Sequence, residues 1–478
     1  MADDATIAAA RPVGKHRGLL AILVGWVLLV RLGALLFVHS EAPSRCLMPD
    51  SASYTSPARS LLETGRLAAG PDTPDVPMIV RTPGYPAFIA LVYLVFGEAH
   101  VAVIAVQVIF SALSIVVLYH VSYALWGSSA AFLSALLLSV DPATFLSSQL
   151  VLTETLFALL LVTSAGAGAF VALRQPNQRR WAFVSGLFLA LATLVRPITY
   201  YLVVPVVVGW LLHGWSARWG RRRVLSIVAL TALPSLVLVG GWQIRNHRVS
   251  GSAGYSQIGN YNALCYRAAG IVAHLEGISF RQAQGKLMKR HPLDDPYTAP
   301  ASAFEACGDE GWGIVREHPV LFAKDVGRGM AWVLFHPASR GVLAYLGVEA
   351  TGPDRSGDLH AAAGVDTVLG RLRTLLADPA YAATFGFEAT GLFLSYAGGV
   401  YCLWWIARRR RGNLAPHVLM VGMALYLLVL SSGPESNARF RVPLAPFIAL
   451  YGGAGVSLLL EWFRSRRASR ATGKGRGG

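Results

Sequence analysis

Residues 18–39 read GLLAILVGWVLLVRLGALLFVH, 22 residues with a single formal charge, Arg31, and they follow Arg11, Lys15 and Arg17. As a helix rising about 1.5 Å per residue, such a stretch matches the roughly 30 Å of hydrocarbon in a bilayer. It is too long for a signal-peptide core and lacks a small-residue cleavage site. It therefore reads as a retained first span with its N-terminus inside. The rest of the chain agrees. Of 478 residues, 54% are hydrophobic and only 14% charged, with a mean hydropathy of +0.48. Soluble domains carry about a quarter charged residues, so an ordinary cytosolic enzyme is excluded. Long apolar runs, rather than ten-residue alternation, indicate a helical bundle and not a barrel.

Further spans are expected near 99–126, 128–145, 152–173, 181–195, 197–213 and 223–243, and again near 386–406, 414–432 and 440–461. The fold class is an all-α multi-pass membrane protein of about ten transmembrane helices. Two polar segments, 40–98 and about 244–385, interrupt the series. Alternating sides from an inside N-terminus puts the basic clusters at 174–180, 218–223, 408–411 and the C-terminal tail in the cytoplasm, where short Lys/Arg-rich loops belong. Both long polar segments then lie outside, with juxtamembrane helices expected in them. Residues 318–347 are amphipathic and read as lying on the membrane surface. The net charge of +16 is accounted for by these topology signals and by attraction to anionic lipid, so no nucleic-acid partner is implied.

The same count divides the chain into a cytoplasmic tail (1–17), a core (18–262) that includes the loop 40–98, an outer acceptor-side segment (263–385), C-terminal helices (386–462) and a basic tail (463–478). It also gathers ionisable groups at one membrane face: Asp50 and Arg81 in the first outer segment, then Asp141, Glu154, Arg196, Arg245, Arg439 and Arg441 at outer span ends. Such groups are costly near a bilayer and mark function. Arg31, in the outer half of the first span, is expected to pair with Asp141 or Glu154. Arginine forks bind phosphate, and a nearby carboxylate can take a proton from an attacking hydroxyl. Together they suit group transfer from a lipid-phosphate donor outside the cytoplasm. No nucleotide-binding pattern occurs, as expected for a donor that is already lipid-linked.

Several strings, in order, carry a family likeness: Pro49-Asp50-Ser51-Ala52-Ser53-Tyr54, Arg81-Thr82-Pro83-Gly84-Tyr85-Pro86, Thr153-Glu154, Leu194-Val195-Arg196-Pro197, Trp242-Gln243-Ile244-Arg245-Asn246 and Arg439-Phe440-Arg441-Val442-Pro443. The chain resembles the GT-C superfamily of membrane glycosyltransferases, in the branch with protein O-mannosyltransferases and the lipid A aminoarabinose transferase. The resemblance implies a polyprenyl-phosphate sugar donor and inversion at the anomeric carbon. It also implies Asp50 as base and Arg81 on the donor phosphate. Ser51 follows Asp50 where the family often has a second acid, so no essential metal and no other cofactor is expected.

The remaining candidates come from position. Arg196, Arg245 and one of Arg439 and Arg441 would join Arg81 on the phosphate, and Glu154 is the second candidate acid, orienting the acceptor or holding an arginine. Tyr54, Tyr85 and Asn246 are candidates for the sugar or acceptor pocket. Each has a plainer reading: Asp50 as the N-cap of a surface helix, the arginines as interfacial anchors. Cys265 and Cys307 share an outer segment, where an oxidising compartment would let them pair. The partners are a lipid-linked donor, the bilayer and an acceptor that is protein, lipid or polysaccharide, at a bacterial plasma membrane. Rival classes are a flippase of lipid-linked sugars, which would move its substrate without a new glycosidic bond, and a scaffold that does neither. Against the flippase, inverted repeats and broken midplane helices in corresponding halves are not evident.

Overall fold

The computed structural model describes residues 13–291, 297–348, 378–408 and 413–473. Arg409 to Arg411 and the two termini lie outside these. Apolar runs become helices because a bilayer leaves backbone polar groups no other partner. The chain opens with α1 (Val13–Glu41), a 3-10 turn (Pro43–Cys46) and α2 (Ala52–Thr64), and an irregular stretch leads to α3 (Gly84–Phe96). Next come α4 (His100–Trp126), α5 (Ser128–Ser139), α6 (Pro142–Ser148), α7 (Glu154–Ala172) and α8 (Gln178–Val195). After α9 (Val203–Ser216), α10 (Arg221–Pro234) runs through a π turn into α11 (Gly240–Ser250).

The second polar segment folds into α12 (Ile258–Asn262), a π turn (Ala263–Ala268), α13 (Ala269–Glu276), α14 (Phe280–Arg290), α15 (Ala301–Glu317), α16 (Pro319–Phe335) and α17 (Ser339–Leu346). Three helices close the chain: α18 (Pro379–Arg408), α19 (Ala415–Leu430) and α20 (Ala445–Gly473). The protein is thus an all-α, multi-pass membrane protein, with no strand among the described residues beyond a single bridge, Ala68 to Pro77.

Among the described residues, seven helical stretches are long and apolar enough to cross a membrane, or eight if α5 and α6, bent by 60°, count as one span. The other two of the expected ten are α8, diluted by Arg179 and Arg180 at its start, and α19, only 16 residues long. The bend follows from the sequence. Pro142 lacks an N–H and opens α6, and Asp141 caps it by accepting from Thr144 N–H (2.8 Å). In the expected surface stretch, α16 buries one face, Asp325, Gly329 and Val333, and leaves Val320 and Phe335 exposed.

The bundle core packs α4, α5, α7 and α20 around one apolar cluster. The crossing of α18 and α20 needs glycine, because a Cβ on Gly455 would sit 1.8 Å from the carbonyl oxygen of Gly398. Arg31 departs from expectation: it pairs with neither Asp141 nor Glu154. Its guanidinium donates to Ser111 Oγ (2.7 Å), Thr144 O (2.9 Å) and Ser148 Oγ (2.9 Å), neutral oxygens that the broken α5–α6 element and α4 turn towards it.

A charged pair sits in the same core. Arg441, 1% exposed, donates to Glu388 Oε1 (2.7 Å) and to His336 O (2.8 Å). Glu388 in turn accepts from Ala338 N–H (2.8 Å) and Ser339 N–H (2.9 Å), the first amides of α17. Removing one partner strands a buried charge, so Arg441→Ala is expected to cost about 3–5 kcal/mol. A lowered melting temperature in detergent would register that cost, and the double replacement Arg441→Met with Glu388→Leu should recover much of it.

Candidate active site

Asp50 stands between the 3-10 turn and α2, in a loop tied to the chain entering α7. Val151 N–H donates to Cys46 O (3.0 Å), and the Ser51 hydroxyl donates to Val151 O (2.9 Å). Ser51, where a second acid was absent, is thus a buried pin. The Asp50 side chain does not cap α2; both its oxygens go to arginines instead. Arg81 Nη2–H donates to Oδ1 (3.0 Å) and Arg439 Nη1–H to Oδ2 (2.9 Å).

Two strings separated in sequence meet to position these arginines. A Cβ on Gly84 would lie 2.7 Å from the carbonyl oxygen of Leu194, so the Arg81-Thr82-Pro83-Gly84 turn abuts the backbone leading to Arg196. Arg439 is the second residue of a 3-10 turn (Ala438–Arg441) capped by Asn437, whose Oδ1 accepts from Arg439 N–H (2.9 Å). That turn sends Arg439 and Arg441 opposite ways, the first to Asp50 and the second into the core.

Glu154, at the start of α7, joins the cluster from behind. It is fully buried and accepts on Oε1 from Arg196 Nη1–H (2.7 Å) and from Arg439 Nε–H. Three guanidiniums and two carboxylates therefore form one chain of ion pairs with a net positive charge. Asp50 keeps 36% of its side chain exposed while Glu154 keeps none, so only Asp50 is open to a substrate. Burial alone would raise the Asp50 carboxyl, but the Arg439 and Arg81 guanidiniums outweigh it and hold the group below the usual carboxylate range. Burial likewise works against the Arg439 charge, and Glu154 and Asp50 more than offset it.

The cluster forms one wall of a cavity of about 1410 Å³. Asp50, Tyr54, Arg81, Arg196 and Arg439 line it together, with apolar wall from Ile198, Tyr201, Val429 and Phe440. The Arg81 guanidinium lies 4.8 Å above the Tyr54 ring.

Other expected site residues point elsewhere. Arg245 donates to Met78 O (2.7 Å) and Leu67 O (2.7 Å) and stacks on Trp242, so it clasps the 67–78 loop rather than facing the cavity. Asn246 is buried against Tyr255 O (2.9 Å). Tyr85 is buried, donating to Gln107 and packing edge-on to Tyr54. Arg441 is committed to Glu388. Cys265 and Cys307 are both buried free thiols. Among the described residues no three His, Cys, Asp or Glu side chains come together.

The cavity also holds residues that the sequence did not single out. Tyr297 accepts from Arg81 Nη2–H through its hydroxyl (3.3 Å), and Arg267 pairs with Glu435 (3.4 Å) in the lining of the same cavity. Glu435, four residues before Arg439, carried a usable signal. Tyr297, in an unpatterned Pro-rich loop, carried none.

Residues 75–242, which include Arg81, Glu154 and Arg196, match the family model of the dolichyl-phosphate-mannose-protein mannosyltransferases. None of the curated proteins matches the chain. Among solved structures it is similar to the Archaeoglobus fulgidus oligosaccharyltransferase in the apo form, at 15% identity and a TM-score of 0.50, covering 94% of this chain and 52% of that one. The same enzyme in complex with Zn and sulfate gives 14% identity and a TM-score of 0.50, covering 92% and 50%. ArnT from Cupriavidus metallidurans bound to undecaprenyl phosphate gives 16% identity and a TM-score of 0.40, covering 90% and 78%. The chain spans about half the length of the oligosaccharyltransferase, and at these identities the likeness is one of fold. The family match, over residues 75–242, and that shared fold agree with the resemblance carried by the motifs.

Proposed function

We propose that the protein is an inverting glycosyltransferase that moves a sugar from a polyprenyl-phosphate donor to an acceptor hydroxyl. The reaction would take place at the extracytoplasmic face of a bacterial plasma membrane, with both termini in the cytoplasm. The observation that carries this reading is the wall on which Arg81, Arg196 and Arg439 converge beside the half-exposed Asp50 carboxylate. The name of the matched family, with its dolichyl-phosphate-mannose donor, supports a lipid-phosphate sugar.

In this reading the donor phosphodiester carries one negative charge and meets one net positive charge. Asp50 takes the proton of the acceptor hydroxyl, whose oxygen attacks the anomeric carbon from the face opposite the phosphate. The bond from that carbon to the phosphate oxygen breaks, and polyprenyl phosphate leaves with added negative charge. The arginines stabilise that growing charge, the effect expected to be largest. Holding the reactants in line supplies the rest. Glu154, sealed from the cavity, holds Arg196 and Arg439 in place. No metal is required.

The test is to incubate purified protein in nanodiscs with labelled polyprenyl-phosphate sugars and cell-envelope extract. A new glycosidic linkage of opposite anomeric configuration to the donor is expected. Label that crosses a bilayer without any new linkage would make the protein a transporter. Arg81 and Arg245 should separate in the same system. Arg81→Ala is expected to weaken binding of undecaprenyl phosphate about tenfold or more. Arg245→Ala, which removes a clasp outside the cavity, should leave it within about twofold of wild type, and equal losses would contradict the assignment.

A further inference from the structure

We propose that Asp50 and the donor phosphate compete for the same two guanidiniums, so that arrival of the donor releases the base. This rests on the donor reading above and adds an order of events to it. Both Asp50 oxygens are occupied, Oδ1 by Arg81 Nη2–H (3.0 Å) and Oδ2 by Arg439 Nη1–H (2.9 Å). A carboxylate held on both oxygens by charge-assisted bonds is a weak acceptor for a further proton.

Each arginine has a second hold that does not involve Asp50. Arg81 Nε–H donates to Ser53 Oγ (3.0 Å), and its plane rests on Tyr54. Arg439 Nε–H donates to Glu154, whose carboxylate is fully buried. Anchored through Nε, both side chains can stay where they are while their terminal nitrogens change partner. A guanidinium has five N–H groups in a rigid fork, so the exchange needs little movement. Arg81, Arg439 and Asp50 all line the same cavity, which gives a phosphate a way to them.

The exchange leaves Asp50 with fewer positive neighbours as the phosphate takes them over. Its affinity for a proton rises at the moment an acceptor hydroxyl needs to lose one. Without donor, the base stays neutralised by its own site. Donor binding thus precedes activation of the acceptor, and the empty enzyme does not draw protons from water or a stray hydroxyl.

The measurement is the affinity of undecaprenyl phosphate for wild type and for Asp50→Asn in nanodiscs. Asp50→Ala serves as a second variant, and melting temperatures verify the fold of each. Removing the competing charge is expected to tighten binding about tenfold or more, a hydrogen bond to a charged group being worth more than 1.4 kcal/mol. Equal or weaker binding in both folded variants would overturn the competition while leaving the donor assignment intact. Binding to none of the three proteins would overturn the donor assignment, and this inference with it.

Discussion

Replacing Asp50 by Asn is expected to slow glycosyl transfer by about a hundredfold to ten-thousandfold, the usual worth of a positioned general base. The amide keeps the size of the carboxylate, but it offers one acceptor oxygen where two guanidiniums donate and it cannot take the proton. Stability should hardly change, because Asp50 is more than a third exposed on the cavity wall. The pH profile gives an independent reading. The groups facing Asp50 are Arg81 from the turn before α3, Arg439 from the turn before α20, and the phenols of Tyr54 and Tyr266. Burial pushes the Asp50 carboxyl up and the two guanidiniums bring it below its ordinary value, near 4. A depressed value means the carboxylate persists as pH falls and is lost only below that range. The acid limb of kcat/KM for wild type is therefore expected below about pH 4, and Asp50→Asn should lack it.

The second large effect is expected at Glu154, and it has a different signature. Glu154→Gln leaves Arg196 and Arg439 without the carboxylate that holds both. Breaking a buried ion pair by removing one partner costs about 3–5 kcal/mol, so melting temperature and activity should fall together. The donor affinity should change as well, since the arginines lose their fixed positions. Asp50→Asn would lose turnover with its melting temperature intact. Unchanged stability in Glu154→Gln would contradict the account of Glu154 as the anchor of the network.

The fold and the centre of the candidate site were legible for different reasons. Apolar runs of span length and the placement of basic clusters led to the bundle, because the bilayer imposes both constraints on any sequence. Asp50, Arg81, Arg196 and Arg439 were legible because each sits beside a turn-forming string at a span end. The structure brings those four to one wall. Arg245 and Arg441 carried the same outward signal, a cation at a membrane face, yet turn away from the cavity. Their directions depend on acceptors far along the chain, Leu67 O and Met78 O for Arg245 and Glu388 for Arg441. Local pattern holds no information about such partners. Arg31 failed similarly: its neutral oxygens become available only because α5 and α6 break at Asp141 and Pro142. Tyr297 reaches Arg81 across 216 positions of sequence, a contact that only folding of the second polar segment creates.

The most direct test of the account is release of polyprenyl phosphate, followed by mass spectrometry, from a panel of polyprenyl-phosphate sugars in the presence of envelope acceptors. Wild type, Asp50→Asn and Arg245→Ala are run side by side in nanodiscs. Release by wild type and Arg245→Ala, with a loss of at least about a hundredfold in Asp50→Asn, is the predicted result. Release by Asp50→Asn at the wild-type rate, or none from any donor by wild type, would contradict it.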